Sequence, residues 1–273
     1  MNGSMINAMV SMNGLQQKLD LLADNIANAN TVGYKRKEAS FEDLLATKTQ
    51  QPSGFTQPGR LTPLGFNQGW GSKLGMIQPD LAQGPLKQTD EQYDVALTGD
   101  ALLEVITDAA GTRAYTRNGA LQLTLDDTGT SSFLTTKEGY AISDVDGNPI
   151  EIPSEIQSLR INPDGSLIGE TAAGAVALGQ MRLVQAMKPS LLSQVADNLY
   201  TVADGINVTD VLRTVTAAAD SDISIRQGYL EQSNVNLANE MTELINVQRA
   251  YQLSSRALSS SDTMLGLANS LRG

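Results

Sequence analysis

All nine prolines of the sequence lie between Pro52 and Pro189, leaving the first 51 residues and the last 84 without one. Proline removes a backbone donor and clashes inside a helix, so only the two ends of the chain are free to form long helices. The N-terminal end uses that freedom. Met1, Met5, Ala8, Met12, Leu15, Leu19, Leu22, Ile26 and Ala29 follow one another at alternating spacings of four and three. This heptad pattern predicts a helix of about four heptads, roughly 40 Å long at 1.5 Å per residue. The intervening positions are mostly polar, and a stripe so narrow cannot be buried by the helix alone.

The C-terminal end mirrors it. Leu230, Leu237, Leu244, Tyr251, Leu258 and Leu265 recur every seven residues, and the alternate seam positions are mixed, with Met241 among polar residues such as Asn234 and Gln248. Ser233 is the expected N-cap. Two helices joined only to each other would be marginal, so both seams ask for partners.

Between the ends the texture changes. Residues 46–92 hold five prolines and seven glycines and predict an extended, irregular connector. From about residue 93, short apolar runs (YDVAL, LLEVIT, AYT, LQLTL, SFLTT, YAI, SLRI) alternate with turn signals such as RNG, DVDGN and NPDG. That alternation predicts a compact antiparallel β unit. The expected class is α+β: long terminal helices forming a coiled-coil-like layer around an inserted β domain. The expected segments are 1–45 for the N-terminal helix and its corner, 46–92 for the linker and 93–205 for the β domain. A return connector follows at 206–228, and the C-terminal helix occupies 229–273.

Much chemistry is excluded by what is missing. The 273 residues contain no histidine and no cysteine, which removes the commonest general base, the commonest metal ligand and every thiolate. DVDGN at 144–148 resembles a calcium loop, but Pro149 stands where that loop needs glycine, and a hairpin turn explains the stretch. No phosphate-binding glycine loop and no nucleophile elbow is present. The residues therefore predict no enzyme, no cofactor, no metal site and no small-molecule substrate. A net charge of −11 argues against nucleic acid as a partner. No apolar run reaches the ~18 residues of a spanning helix. MNGSMINAMVSMNG lacks the basic and apolar regions of a secretory signal.

The first helix stops at NIANANTVGYKR, residues 25–36. Asn28, Asn30 and Gly33 tolerate left-handed backbone, Thr31 and Val32 disfavour helix, and Lys35, Arg36 and Lys37 suit the negative end of a helix. This stretch, following a heptad helix at the N-terminus, resembles the bacterial flagellar rod and hook family. So do DVALTGDALLEV at 94–105, TRAYTRNGALQL at 112–123 and GYLEQSNVNLANEMTELINVQRAYQLSSRAL at 228–258. FEDLL at 41–45, with the Pro/Gly-rich stretch after it, resembles the distal-rod branch. Two departures, Ala101-Leu102-Leu103 in place of Gly-Phe-Phe and Tyr34 in place of Phe, keep apolar character.

The resemblance implies a non-catalytic rod subunit, exported through the flagellar type III apparatus without a cleaved signal peptide. Such subunits polymerise with themselves and with other rod and hook proteins into a helical tube that passes motor torque to the hook. Its inner layer would use a seam of Met5, Met12, Leu15, Leu19, Leu22 and Ile26 from the first helix. Leu230, Leu237, Met241, Leu244, Tyr251, Leu258 and Leu265 would supply the second. Asn25, Asn28, Asn30, Thr31, Gly33, Tyr34 and Lys35 would form the corner where the chain leaves that layer, making turn and subunit contacts. Two other readings compete: a different axial part of the same organelle (hook, proximal rod or junction), and a secreted β-domain adhesin on a helical stalk.

Overall fold

A computed structural model describes residues 2–271 apart from 45–46, 51–64, 109–110, 127–128, 130, 173, 196–197, 204 and 217–221. The chain is α+β and divides into two units. One comprises Met1–Ile26, Glu38–Ile77 and Leu237–Gly273; the other comprises Ala27–Lys37 and Gln78–Asn236.

The first unit begins with helix α1, Asn2–Ala27. Strand β1 (Lys37–Asp43) pairs with β4 (Ser72–Pro79), and between them β2 (Thr47–Gln50) pairs with β3 (Gly65–Gln68). The helix lies against the β1–β4 ribbon at Gly14. A Cβ there would stand 3.3 Å from the Phe41 ring and 3.5 Å from the Leu74 nitrogen, so glycine permits the approach. Residues 46–92, expected as an irregular connector, thus carry strands in their described parts. Extended backbone carrying apolar side chains such as Leu74, Met76 and Ile77 satisfies its hydrogen bonds by pairing. The middle of that stretch, 51–64, lies outside the described residues.

The second unit is a β domain. Strand β5 (Leu86–Gln88) leads to β6 (Val95–Thr98), then β7 (Ala101–Ile106), β8 (Arg113–Thr116), β9 (Leu121–Leu125), β10 (Ser131–Thr136), β11 (Ala141–Ile142) and β12 (Glu151–Pro153). A three-stranded sheet follows, of β13 (Ser158–Ile161), β14 (Ser166–Thr171) and β15 (Gly174–Gln180). The chain then returns through β16 (Leu183–Ala186), β17 (Leu192–Gln194) and β18 (Leu199–Val202). After them come one helical turn, α2 (Val208–Val211), and strands β19 (Leu212–Val215), β20 (Ser224–Gln227) and β21 (Tyr229–Glu231). The largest sheet has ten strands and is centred on β7, which is flanked by β8, β11 and β16, all antiparallel.

Alternation along β7 sends side chains to two cores. Ala101, Leu103 and Val105 join a cluster with Leu121, Leu134, Ile142, Leu167 and Ile225. Leu102 joins a smaller one with Tyr115, Val184, Tyr200 and Leu212. The stretch expected as a return connector therefore supplies Leu212, Val215, Ile223 and Ile225 to the core. DVDGN is a turn: Gly147 donates to the Asp144 carbonyl, and the Asp144 carboxylate accepts from the Gln180 N–H at 2.7 Å.

The chain ends in helix α3, Leu237–Ser270, which belongs to the first unit.

Candidate assembly surface

Within the first unit the two long helices touch through polar groups. The buried Asn25 amide donates to Glu240 at 3.2 Å, and Lys18 pairs with Glu243 while its ammonium stands 5.4 Å from the ring centre of Phe41. Leu22 and Val247 are the buried apolar residues here, with Leu21 beside them. A groove of about 450 Å³ opens among Leu15, Lys18, Phe41, Thr242, Glu243 and Val247.

Much of the apolar surface of α3 is bare. Leu237, Met241, Ile245, Leu253, Met264, Leu267 and Leu271 are all exposed, Leu253 at 64% and Leu271 at 88%. On α1, Ile6 and Met9 are exposed as well. Helical side chains three and four apart share a face, so Leu237, Met241 and Ile245, and further on Met264 and Leu267, form exposed apolar stretches along α3, with Leu253 between them and Leu271 just past its end.

In the second unit, three distant stretches meet at one buried charge cluster. Glu231 of β21 is its centre. One carboxylate oxygen accepts from the Lys35 ammonium at 2.7 Å and from the Gly84 N–H at 2.7 Å. The other accepts from Arg117 Nε at 2.5 Å. The Arg117 guanidinium also donates to the carbonyls of Ala101, Leu97 and Gly99. Lys35 donates to the carbonyls of Leu81 and Ala82. Lys35, Arg117 and Glu231 are each at most 2% exposed. Burial, and after it the Arg117 charge, pull the Lys35 ammonium below its ordinary range, while Glu231 and Asp80 pull against them.

The backbone around the cluster is fitted closely. Gly33 donates to the Glu231 carbonyl at 2.9 Å and has φ +69°; a Cβ there would fall 2.6 Å from the Asn118 nitrogen. A Cβ on Gly119 would fall 1.8 Å from the Val95 carbonyl oxygen. The Asn234 side chain accepts from the Arg36 N–H at 2.7 Å and donates to the carbonyls of Asp80 and Ala82.

These contacts change the sequence expectations in several places. Of the corner residues read as left-handed, only Gly33 has positive φ; Asn28 instead closes a turn, its carbonyl and side-chain oxygens both accepting from Thr31. Lys35 is buried against Glu231 rather than facing the end of α1, because a carboxylate and two carbonyls offer it more than a helix end does. Tyr34 is buried, Thr31 half-buried and Asn30 exposed. Leu230 lies on β21 opposite Lys87 and not on α3, since the helix starts seven residues later. Ser233 accepts from the Val235 N–H in a local turn and does not cap α3. Of the remaining seam positions, Met5, Met12, Leu15, Leu19 and Ile26 are half-buried, as are Leu244, Tyr251 and Leu258. The side chain of Leu265 lies outside the described residues.

Arg117 and Glu231 were not legible as site residues. RNG reads as a turn, and Glu231 reads as one more polar residue beside the Leu230 seam position. What they share is placement in the stretches that carry the family resemblance.

Residues 5–35 match the family described as flagella basal body rod protein. Residues 96–169 match the flagellar hook protein FlgE/F/G D1 domain, and residues 226–271 match the flagellar basal body rod FlgEFG protein C-terminal region. The flagellar basal-body rod protein FlgG of Bacillus subtilis is 32% identical over 96% of this chain and 96% of its own length. This chain belongs to the flagellar rod and hook family. FlgG of Borreliella burgdorferi is 32% identical over 96% of the chain and 95% of its own. The flagellar hook-basal body complex protein FlhP of Bacillus subtilis is 34% identical over 98% and 99%. The three family segments contribute one member each to the buried cluster: Lys35, Arg117 and Glu231.

Proposed function

We propose that this chain is a structural subunit of the flagellar rod, of the distal-rod type, which polymerises through its terminal helices into a tube that carries torque to the hook. One observation carries the reading: α3 leaves an apolar surface along its length that the single chain does not cover. Neighbouring copies would cover it, packing α3 together with the half-buried α1 positions Met5, Met12, Leu15, Leu19 and Ile26 in a coiled-coil-like inner layer. A heterologous contact that does not close on itself produces a helical filament. The relatives named as FlgG rod proteins, aligned over nearly the whole chain, support the distal-rod assignment.

The corner, in this reading, makes its polar contacts within the chain at Lys35, and Asn30 remains available to a neighbour. Other axial rod and hook proteins are the heterotypic partners, and the flagellar type III apparatus delivers the chain beyond the cytoplasmic membrane without a cleaved signal. The similarity to FlhP favours a second reading, an axial component at another level of the same structure. Electron microscopy of basal bodies from a strain lacking the protein tests both. A rod that stops short and bears no hook is the expected result, and a normal rotating flagellum rejects the proposal. Gold labelling of a tagged copy separates the distal rod from a neighbouring level.

A further inference from the structure

The buried cluster has an order in sequence as well as in space. Glu231 is 196 residues from Lys35, 147 from Gly84 and 114 from Arg117, and it follows all three. The charged groups that face it are Lys35 and Arg117, with Asp80 close enough to Lys35 to act on it. Until residue 231 is in place, the closed arrangement would bury two cations against carbonyl oxygens with no buried carboxylate between them. An unpaired buried charge is strongly unfavourable. The backbone makes the same demand. Gly33 donates to the Glu231 carbonyl, Gln232 donates to Pro85, and β5 and β6 have β21 and β20 as their strand partners.

We propose that Glu231 is the closing residue of the β domain. Residues 33–36, 80–85 and 117 take up their native positions only when it arrives, so a chain synthesised or threaded N-terminus first stays open there until nearly all of it has emerged. The β9–β10 hairpin, paired within residues 121–136, is free of this constraint.

Pulse-labelled hydrogen exchange during refolding of the full chain from urea tests it. Gly33, Gly84 and Gln232 are expected to gain protection in one common phase, after the β9–β10 amides. Protection of Gly33 or Gly84 ahead of Gln232 overturns the proposal. In Glu231→Gln, which keeps the shape and loses the charge, that common phase is expected to slow by at least about tenfold while the hairpin phase is unchanged. A variant that refolds at the wild-type rate throughout overturns it equally. If the variant does not refold, the labelling order of the wild-type chain decides alone.

Discussion

At the scale of single residues, Glu231 is the most exposed to test, because removing one partner from a buried ion cluster leaves the others uncompensated. Glu231→Gln is expected to lower stability by about 3–5 kcal/mol, read from urea denaturation. Gly33→Ala should cost about 2 kcal/mol or more, since alanine disfavours φ +69° and its Cβ would meet Asn118. Tyr200 predicts a pH effect. Its hydroxyl is buried, and that burial pushes the phenol well above its usual range. The unfolded phenol ionises near ~10 and the folded one does not, so its contribution is intact below that pH and is lost as pH rises above it. Lys35, with its ammonium held below the ordinary range, acts in the opposite sense, adding stability as pH rises toward 10.5. Comparing Tyr200→Phe with the wild type isolates the first effect. The unfolding free energy from urea titration should fall less steeply above pH 10 in the variant and differ from the wild type by no more than about 1 kcal/mol at pH 8. None of this could be read from residue spacing. A heptad or an alternating strand repeats along the chain, whereas Lys35, Arg117 and Glu231 are united only by a fold that brings residues far apart in sequence together.

At the scale of elements, periodicity was informative and pairing was not. The apolar runs YDVAL, LLEVIT, LQLTL and SLRI lie on β6, β7, β9 and β13, because alternation and turn residues are local properties. Strands 72–79, 212–215 and 224–227 lie in stretches read as connectors, since their order depends on distant partners. The heptad rule extended one repeat too far at Leu230, where strand pairing with β5 outweighs helical spacing. On α3, the exposed side of the helix invites the assembly test. Leu253→Lys should change monomer stability by less than about 0.5 kcal/mol, as surface substitutions do, yet abolish polymerisation in vitro and swimming in soft agar. Leu22→Ala, at a site 1% exposed, should instead destabilise the helical unit by about 2–5 kcal/mol, seen as lost helical circular dichroism on mild heating.

At the scale of the whole molecule, the chain combines a β domain with two cores of its own and a helical unit that leaves apolar surface uncovered. That division suits a subunit whose β part is complete as a monomer and whose helices become fully buried on joining copies. It also divides the gene's nonsense mutations into two kinds. The hydrogen-bond partners of Glu231 (Gly33, Lys35, Gly84 and Arg117) all precede it, and Asn234, which holds Arg36, Asp80 and Ala82, also lies ahead of the first residue of α3. A stop codon upstream of 231 should give a product that never closes and is cleared by proteases. One just downstream of 236 should leave the β domain able to close without the long apolar helix. Expressed beside the full-length protein, only the second product should accumulate on an immunoblot, a soluble remnant unable to extend a growing tube.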